Sequence, residues 1–115
     1  MRWLLVTGLA LLATSSSNEG AEQAASMDLI ERTVVMPAGS APIARYARFY
    51  TRAPTGAVVG LFVIGPHRGL DPGKRRWVST LDDLPWIADG GCAAVSATLE
   101  AGSTEADTAY CNGGD

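Results

Sequence analysis

Two cysteines, Cys92 and Cys111, constrain the fold of this chain more than any other feature of its sequence. No other cysteine is present, so an intramolecular disulfide can join only these two. The bond would close a loop of 20 residues, for which the chain-entropy model gives about 3 kcal/mol of stabilisation. Direct pairing of the cysteines would place the hairpin tip at Ala101-Gly102, whereas turn-like residues continue to Asp107. We therefore expect a disulfide that is diagonal or lies beside a β-bulge.

Two other roles of a cysteine pair, redox catalysis and zinc binding, require features that this sequence lacks. A redox pair needs close spacing such as C-x-x-C in an electropositive setting, and here 18 residues separate the cysteines. A zinc site needs three or four ligands, and the chain offers only His67 besides. We expect a structural disulfide, no metal site and no cofactor.

The first 17 residues, MRWLLVTGLALLATSSS, have the layout of a secretory signal peptide. Arg2 supplies a short basic region, an apolar run from Trp3 to Ala13 follows, and small residues come next. The run is shorter than the roughly 20 apolar residues that cross a membrane, so we expect no stable membrane span after cleavage. The alternative is an uncleaved peripheral anchor. The signal predicts a periplasmic or secreted protein.

The chain that remains after cleavage is predicted to have a flexible tether, residues 18–28, before a single domain, residues 29–115. It has 8 basic and 12 acidic side chains, a net charge of −4. A general nucleic-acid binder has a strong basic excess instead, so we expect no nucleic-acid partner. A chain of this size buries only about two thirds of its unfolded surface, so its core is modest and a disulfide helps it.

The most regular pattern in the sequence predicts a helix over residues 40–52. Ser40 is a favourable N-cap, and Pro42 fits the first helical turn, where its missing N–H does no harm. One helix face would carry the i, i+3, i+4, i+7 set Ile43, Tyr46, Ala47 and Tyr50. The preceding segment, Leu29–Pro37, is β-branched in its second half and predicts a strand.

The remaining strands follow from apolar runs and turn signals. Residues 57–65, AVVGLFVIG, are apolar throughout and predict a strand buried on both faces. Gly60 within it indicates a bulge or the close approach of another backbone. Residues 74–80 are expected to return as a hairpin partner, and residues 92–100 and 108–113 form a last hairpin. The predicted fold is α+β, with one long helix packed on a curved four- to five-stranded antiparallel sheet.

A single helix covers only one face of such a sheet. The second face would be closed by curvature, by a turn containing Leu84, Trp86 and Ile87, or by a second molecule. An exposed apolar patch usually marks an interface, so a homodimer is among the expected arrangements.

Basic residues form the one constellation that suggests binding. Three arginines share one face of the predicted helix, and a second group begins the strand after residue 73; together they are Arg45, Arg48, Arg52, Lys74, Arg75 and Arg76. Such a face can bind an anionic ligand or an acidic partner protein. The alternative is a solvated surface in which these side chains form weak pairs with acidic neighbours.

Aromatic residues and the lone histidine suggest a second candidate, a pocket on the sheet formed by Tyr50, His67 and Trp77. A catalytic triad would have to use His67, but no nucleophile motif accompanies it. We therefore assign no catalytic residue, and a solvated loop histidine is the favoured interpretation.

The C-terminal half contains the segments GKRRWV, LPWIADGGCAAV and the terminal CNG, within residues 56–113. Through these segments it resembles a group of small secreted bacterial proteins of unknown activity. The resemblance implies bacterial secretion and implies no catalytic residue.

The sequence thus favours a small non-enzymatic binding or interaction domain whose partner is another protein or an anionic ligand. The first alternative is a small enzyme or accessory subunit that uses the sheet pocket. The second alternative is a structural component of the cell envelope.

Overall fold

The computed structural model describes residues 2–85, 87 and 90–112, with the backbone alone for residues 2–17. The described part has one helix and a five-stranded sheet, so the α+β class is confirmed. The elements are α1 (Arg2–Thr33), β1 (Tyr46–Arg52), β2 (Val58–Ile64), β3 (Arg75–Trp77), β4 (Gly91–Leu99) and β5 (Tyr110–Asn112). The strands lie in the order β3-β1-β2-β4-β5. Short 3₁₀ turns at Ile43–Arg45 and Leu81–Asp83 precede β1 and follow β3.

The helix that covers the sheet is α1, which continues to Thr33, so the strand predicted over Leu29–Pro37 is wrong. Met27 and Ile30, three residues apart on one helix face, are buried against the sheet. Tertiary burial of this stripe favours the helix over the β-branched composition of the segment. The predicted tether, residues 18–28, also has helical backbone, as its many alanine, glutamate and glutamine residues allow.

Residues 46–52 form strand β1, so the helix predicted over residues 40–52 is wrong. Only residues 43–45 make a short 3₁₀ turn there. The same aromatic residues that fit a helical period also alternate with period two, because Tyr46 and Tyr50 are separated by four positions. Pairing on both edges, with β2 and with β3, decides between the two periods in favour of the strand.

β2 is the central strand, as predicted, and pairs antiparallel with both β1 and β4. Most of its side chains are buried, which explains its apolar run. Gly60 lies opposite Tyr50, and a Cβ on Gly60 would approach the Tyr50 ring to 3.0 Å and the Phe62 ring to 3.1 Å. The ladder keeps a regular register there, so the predicted bulge is wrong. The groups that approach Gly60 closely are two aromatic rings and not, as predicted, another backbone.

β3 pairs in parallel with β1, so the sheet is mixed, and the predictions of an antiparallel sheet and of a β2–β3 hairpin are wrong. Both edges of β2 are already occupied by β1 and β4, which leaves no place for β3 beside it. The connection turns back at Arg68-Gly69, whose φ angles of 50° and 78° suit a two-residue turn with two positive φ values. Gly73 then donates its N–H to the Tyr46 carbonyl at 3.0 Å, which brings the chain to the edge of β1.

The last hairpin, β4 and β5, is confirmed, and so is the disulfide that joins it. Cys111 lies opposite Val95 rather than Cys92, because the register shifts between Gly91 and Val95. The Cα atoms of Cys92 and Cys111 are 4.5 Å apart. The disulfide therefore lies beside a bulge, which is one of the two arrangements that the sequence predicted.

The two faces of the sheet differ in what covers them. We call the face under α1 the helix face; its buried residues are Tyr46, Tyr50, Val58, Phe62, Val95, Ala97 and Leu99, packed with Met27 and Ile30. We call the opposite face the loop face; Ala47 and Phe49 pack there with Leu70, Val78 and Leu84 from the loops after β2 and β3. The predicted closing turn thus contributes Leu84, whereas Trp86 lies outside the described residues.

Candidate functional site

Glu31, in the last turn of α1, accepts hydrogen bonds from three side chains of the sheet. Its Oε2 accepts from Arg48 Nε at 3.1 Å and from Tyr50 Oη at 2.7 Å. Its Oε1 accepts from Arg75 Nη1 at 3.1 Å. The same Arg75 nitrogen donates to Asp28 Oδ1, one helical turn earlier, at 2.8 Å. We call these five residues the carboxylate cluster, and it fastens α1 to β1 and β3.

Arg48 is the more buried of the two arginines in the carboxylate cluster: its side chain is 11% exposed, and that of Arg75 is 29% exposed. Its guanidinium also donates to the carbonyl oxygens of Ile43 at 3.1 Å and Gly73 at 3.3 Å. Charge-assisted hydrogen bonds of this kind are stronger than neutral ones. Arg48 therefore joins α1, the turn before β1 and the loop before β3, and its charge is compensated inside the protein.

The six predicted basic residues are divided among three environments. Arg48 and Arg75 belong to the carboxylate cluster, and Arg52 donates to the Gly56 carbonyl at 2.9 Å at the β1–β2 turn. Arg45, Lys74 and Arg76 are exposed, and no carboxylate of the described residues forms a salt bridge with them. We call these last three residues the basic rim.

The basic rim lies along the outer edge of the sheet. Lys74 and Arg76 alternate with Arg75 and so point to the loop face. The Arg76 guanidinium lies 5.9 Å from the centre of the Phe49 ring, a distance at which a cation is attracted to an aromatic face. Arg45 is close to Lys74, because the residues that precede them in the chain, Ala44 and Gly73, are in contact. A Cβ on Gly73 would lie 3.4 Å from the Ala44 carbonyl oxygen.

Two of the predicted pocket residues are neighbours, and the third is not. Tyr50 and Trp77 lie side by side on the helix face, where Trp77 is half-buried. His67 lies on the loop face, with its ring 6.0 Å from that of Phe49. The sheet thus separates His67 from the two aromatic residues.

Tyr50 has an altered titration. Burial raises the pKa of its phenol above the ordinary value, and the hydrogen bond to Glu31 and that carboxylate's charge act in the same direction. Arg48 and Arg75 lower the pKa but do not cancel these effects. A phenol that holds its proton in this way serves as a hydrogen-bond donor to Glu31, which is a positioning role within the carboxylate cluster.

The loop face has a groove beside the covered Phe49. A cavity of about 360 Å³ is lined by Val59, Leu61, Leu81, Leu84, Pro85 and Ser96, with Gly60 and Asp82. Leu81 at its rim is 42% exposed. The lining is mostly apolar, and Asp82 is its one carboxylate among the described residues.

Three residues that matter to this region were not among the sequence candidates. Asp28 and Glu31 are three positions apart, so a helical interpretation of residues 27–33 would have placed both carboxylates beside the buried stripe. Arg68 donates to the Asp83 carbonyl at 2.9 Å and has positive φ. The glycine in the segment PHRG is a turn signal, but nothing in the sequence indicates that Arg68 donates to Asp83.

The described residues hold no group of three or more histidine, cysteine, aspartate or glutamate side chains arranged for a metal ion. No described helix is both long enough and apolar enough to cross a membrane. The sequence matches no protein-family model, and neither a curated protein nor a solved structure is similar to it.

Proposed function

We propose that this protein is a small extracytoplasmic, non-enzymatic interaction domain that binds the acidic surface of another protein through its basic rim. The observation that carries the proposal is the exposure of Arg45, Lys74 and Arg76 without a carboxylate partner among the described residues. The other cations near this edge, Arg48 and Arg75, already have internal partners.

Export to the periplasm or outside the cell is supported by two features. Residues 1–17 have the order of basic, apolar and small residues that a signal peptide requires. The Cys92–Cys111 disulfide suits an oxidising compartment. The resemblance of residues 56–113 to small secreted bacterial proteins agrees with export. We propose that residues 1–17 are removed and that α1 then begins near Asn18.

A positive rim on an acidic protein has a defined physical consequence. The mature chain carries a net charge of −4, so it repels most acidic proteins at long range. At short range, within about 8–10 Å at physiological salt, local charges decide the interaction because more distant ones are screened. The basic rim is therefore suited to an acidic surface that docks in one orientation, and such pairing weakens as salt concentration rises.

A capture experiment tests this function. Mature protein purified from the periplasm and immobilised is exposed to periplasmic extract at low salt, and bound proteins are identified by mass spectrometry. We expect a specific acidic protein that elutes as salt is raised. The variant Lys74→Glu and the double variant Lys74→Glu/Arg76→Glu should lose this protein, because both convert the attraction into repulsion.

Arg52→Glu is the matched control for Lys74→Glu. It also replaces one positive charge by one negative charge, but at the β1–β2 turn, outside the basic rim. Circular dichroism shows whether each variant is folded. Lys74 is exposed, and its side chain forms no salt bridge with the described residues. Capture of the same protein by wild type and by Lys74→Glu/Arg76→Glu at equal salt would exclude the basic rim as the binding surface.

A further inference from the structure

The outer edge of β3 has backbone groups that no described strand pairs with. In the parallel ladder Arg48 donates its N–H to the Lys74 carbonyl at 3.0 Å, and Val78 donates to the Tyr50 carbonyl at 2.7 Å. Residues 74, 76 and 78 therefore direct their backbone groups toward β1, and the N–H and C=O groups of Arg75 and Trp77 point away from the sheet. β3 is the last strand in its direction, so these groups form an open edge.

The side chains of this edge differ in charge between the two faces of the sheet. On the loop face the edge carries Lys74 and Arg76 of the basic rim. On the helix face it carries the half-buried Trp77 and Arg75, whose charge is balanced by Asp28 and Glu31. In a strand added at this edge, every second side chain would face the positive charges of Lys74 and Arg76. The side chains between them would face Trp77 and Arg75, where the arginine charge is already neutralised by carboxylates.

We infer that β3 is a docking edge for an extended acidic segment of a partner protein, which adds a sixth strand to the sheet. The segment alternates acidic residues, which face Lys74 and Arg76, with β-branched residues, which pack beside Trp77. Main-chain hydrogen bonds to Arg75 and Trp77 supply affinity, and the alternating side chains supply specificity, as in other cases of strand addition. This inference rests on the proposed function and specifies its partner and its mode of binding.

A second copy of the chain does not fit this edge. Antiparallel pairing of β3 with another β3 would bring Lys74 and Arg76 of one copy against the same residues of the other. Like charges directly opposite each other destabilise a strand pair. Charge complementarity therefore selects an acidic partner over self-association through β3.

Synthetic peptides test the inference on the mature protein. The probe is an acetylated, amidated heptapeptide, Glu-Thr-Glu-Val-Glu-Thr-Glu, and its analogue has lysine in place of glutamate. We expect the acidic peptide to bind at low salt and the lysine analogue not to bind. Binding should slow hydrogen exchange of the Arg75 and Trp77 amides, because these N–H groups gain acceptors. Lys74→Glu/Arg76→Glu should weaken binding about tenfold or more, and Arg52→Glu should leave it unchanged.

N-methylation separates strand addition from simple charge attraction. One peptide is methylated at the glutamate amides and another at the remaining amides, so each blocks one edge of the peptide strand. We expect one of the two to lose at least about tenfold in affinity, the loss of two or more hydrogen bonds. Equal binding of all three acidic peptides would overturn strand addition while leaving the proposed function standing. Failure of the acidic peptide to bind at all would also overturn it, and the capture experiment then decides separately whether the basic rim binds a partner.

Discussion

The helix face and the loop face of the sheet are built from the same strands, yet they are closed in different ways. On the helix face α1 buries a continuous cluster around Phe62, and a set of charged hydrogen bonds around Glu31 closes its margin. On the loop face a smaller cluster around Phe49 is covered by loops, and a groove remains beside it. The central strand β2 is apolar on both faces, but only the helix face is covered by regular structure.

The difference indicates a division of labour. We expect the helix face to contribute most of the folding free energy, since its apolar side chains are enclosed between the sheet and α1. The loop face and the adjoining edge of β3 keep exposed groups, including Leu81 and the basic rim, that contribute little to folding. Substitutions matched across the two faces can break or sharpen this contrast.

Removal of one phenylalanine ring from each face should give the largest effect. Phe62 and Phe49 are 0% and 1% exposed, so the two substitutions to alanine differ mainly in their surroundings. Phe62→Ala leaves a cavity between the rings of Tyr46 and Tyr50, which the packed helix cannot fill, and we expect a loss of about 4–5 kcal/mol. Phe49→Ala lies under loops that can collapse, and we expect about 3 kcal/mol or less.

Urea unfolding followed by circular dichroism measures both losses. The total stability expected for a chain of this size is about 5–15 kcal/mol, so Phe62→Ala should bring the domain near to unfolding while Phe49→Ala remains folded. A larger loss from Phe49→Ala than from Phe62→Ala would contradict the division of labour between the faces.

Neutralisation of Glu31 should give the next largest effect. Glu31→Gln removes the charge that compensates the largely buried Arg48, and we expect a loss of about 2–3 kcal/mol, below the range for fully buried pairs because the Glu31 side chain is 20% exposed. Asp28→Asn is the control: Asp28 is 55% exposed, and among the described residues its one ion-pair partner is Arg75. The loss of stability in Asp28→Asn should therefore stay below about 1 kcal/mol. Equal losses in the two variants would show that Glu31 holds α1 in place no more strongly than the exposed Asp28 does.

The sequence was sufficient for those parts of the fold in which one pattern had one interpretation. The continuous apolar run of β2 and the alternation in β4 predicted two strands correctly, and the cysteine count predicted the disulfide. In these cases the pattern of burial or the single possible cysteine pair favours one structure over the others.

The rest depended on contacts between distant segments. Tyr46 and Tyr50 fit a helix and a strand equally well in spacing, and only pairing with β2 and β3 decides. Glu31 was invisible as a partner of Arg48 while both were assigned to the wrong element. The basic face was therefore predicted as one surface, and the structure divides it because three of its arginines, Arg48, Arg52 and Arg75, lie on the helix side. Local patterns do not encode such long-range pairing.

Alkaline pH should weaken the helix face through Tyr50. Burial and the bond to Glu31 raise the pKa of this phenol in the folded protein, so the folded state favours the protonated form. The stability that this supplies is complete below about pH 10, the ordinary phenol pKa, and is lost as pH rises further, by about 1.4 kcal/mol per pH unit. The free energy difference between wild type and Tyr50→Phe should therefore shrink between about pH 9 and about pH 11.

Urea titrations of both proteins across this range measure that difference, in which the titration of all other groups cancels. Tyr110→Phe is the control, because it removes an exposed phenol instead of a buried one. A difference that stays constant with pH would show that neither burial nor the bond to Glu31 raises the pKa of Tyr50 in the folded protein.

The smallest effect should be a gain in stability, on the loop face. Thr51 is fully buried there, and its hydroxyl has no hydrogen-bond partner among the described residues. Thr51→Val keeps the shape of the side chain and removes the unsatisfied group, so we expect about 1 kcal/mol of stabilisation. Thr98 flanks the same neighbour, Val59, from the other side but is half-buried. Thr98→Val should change stability by less than about 0.5 kcal/mol, because water can satisfy its hydroxyl.

The sign of the Thr51→Val effect sharpens the contrast between the faces. A gain in stability would mean that the loop face buries a hydroxyl group that has no hydrogen-bond partner. On the helix face, by contrast, the Tyr50 hydroxyl has Glu31 as its acceptor. A loss in Thr51→Val that exceeds the change in Thr98→Val would mean that the Thr51 hydroxyl has a partner in solution. The loop face would then satisfy its buried hydroxyl group as the helix face satisfies that of Tyr50.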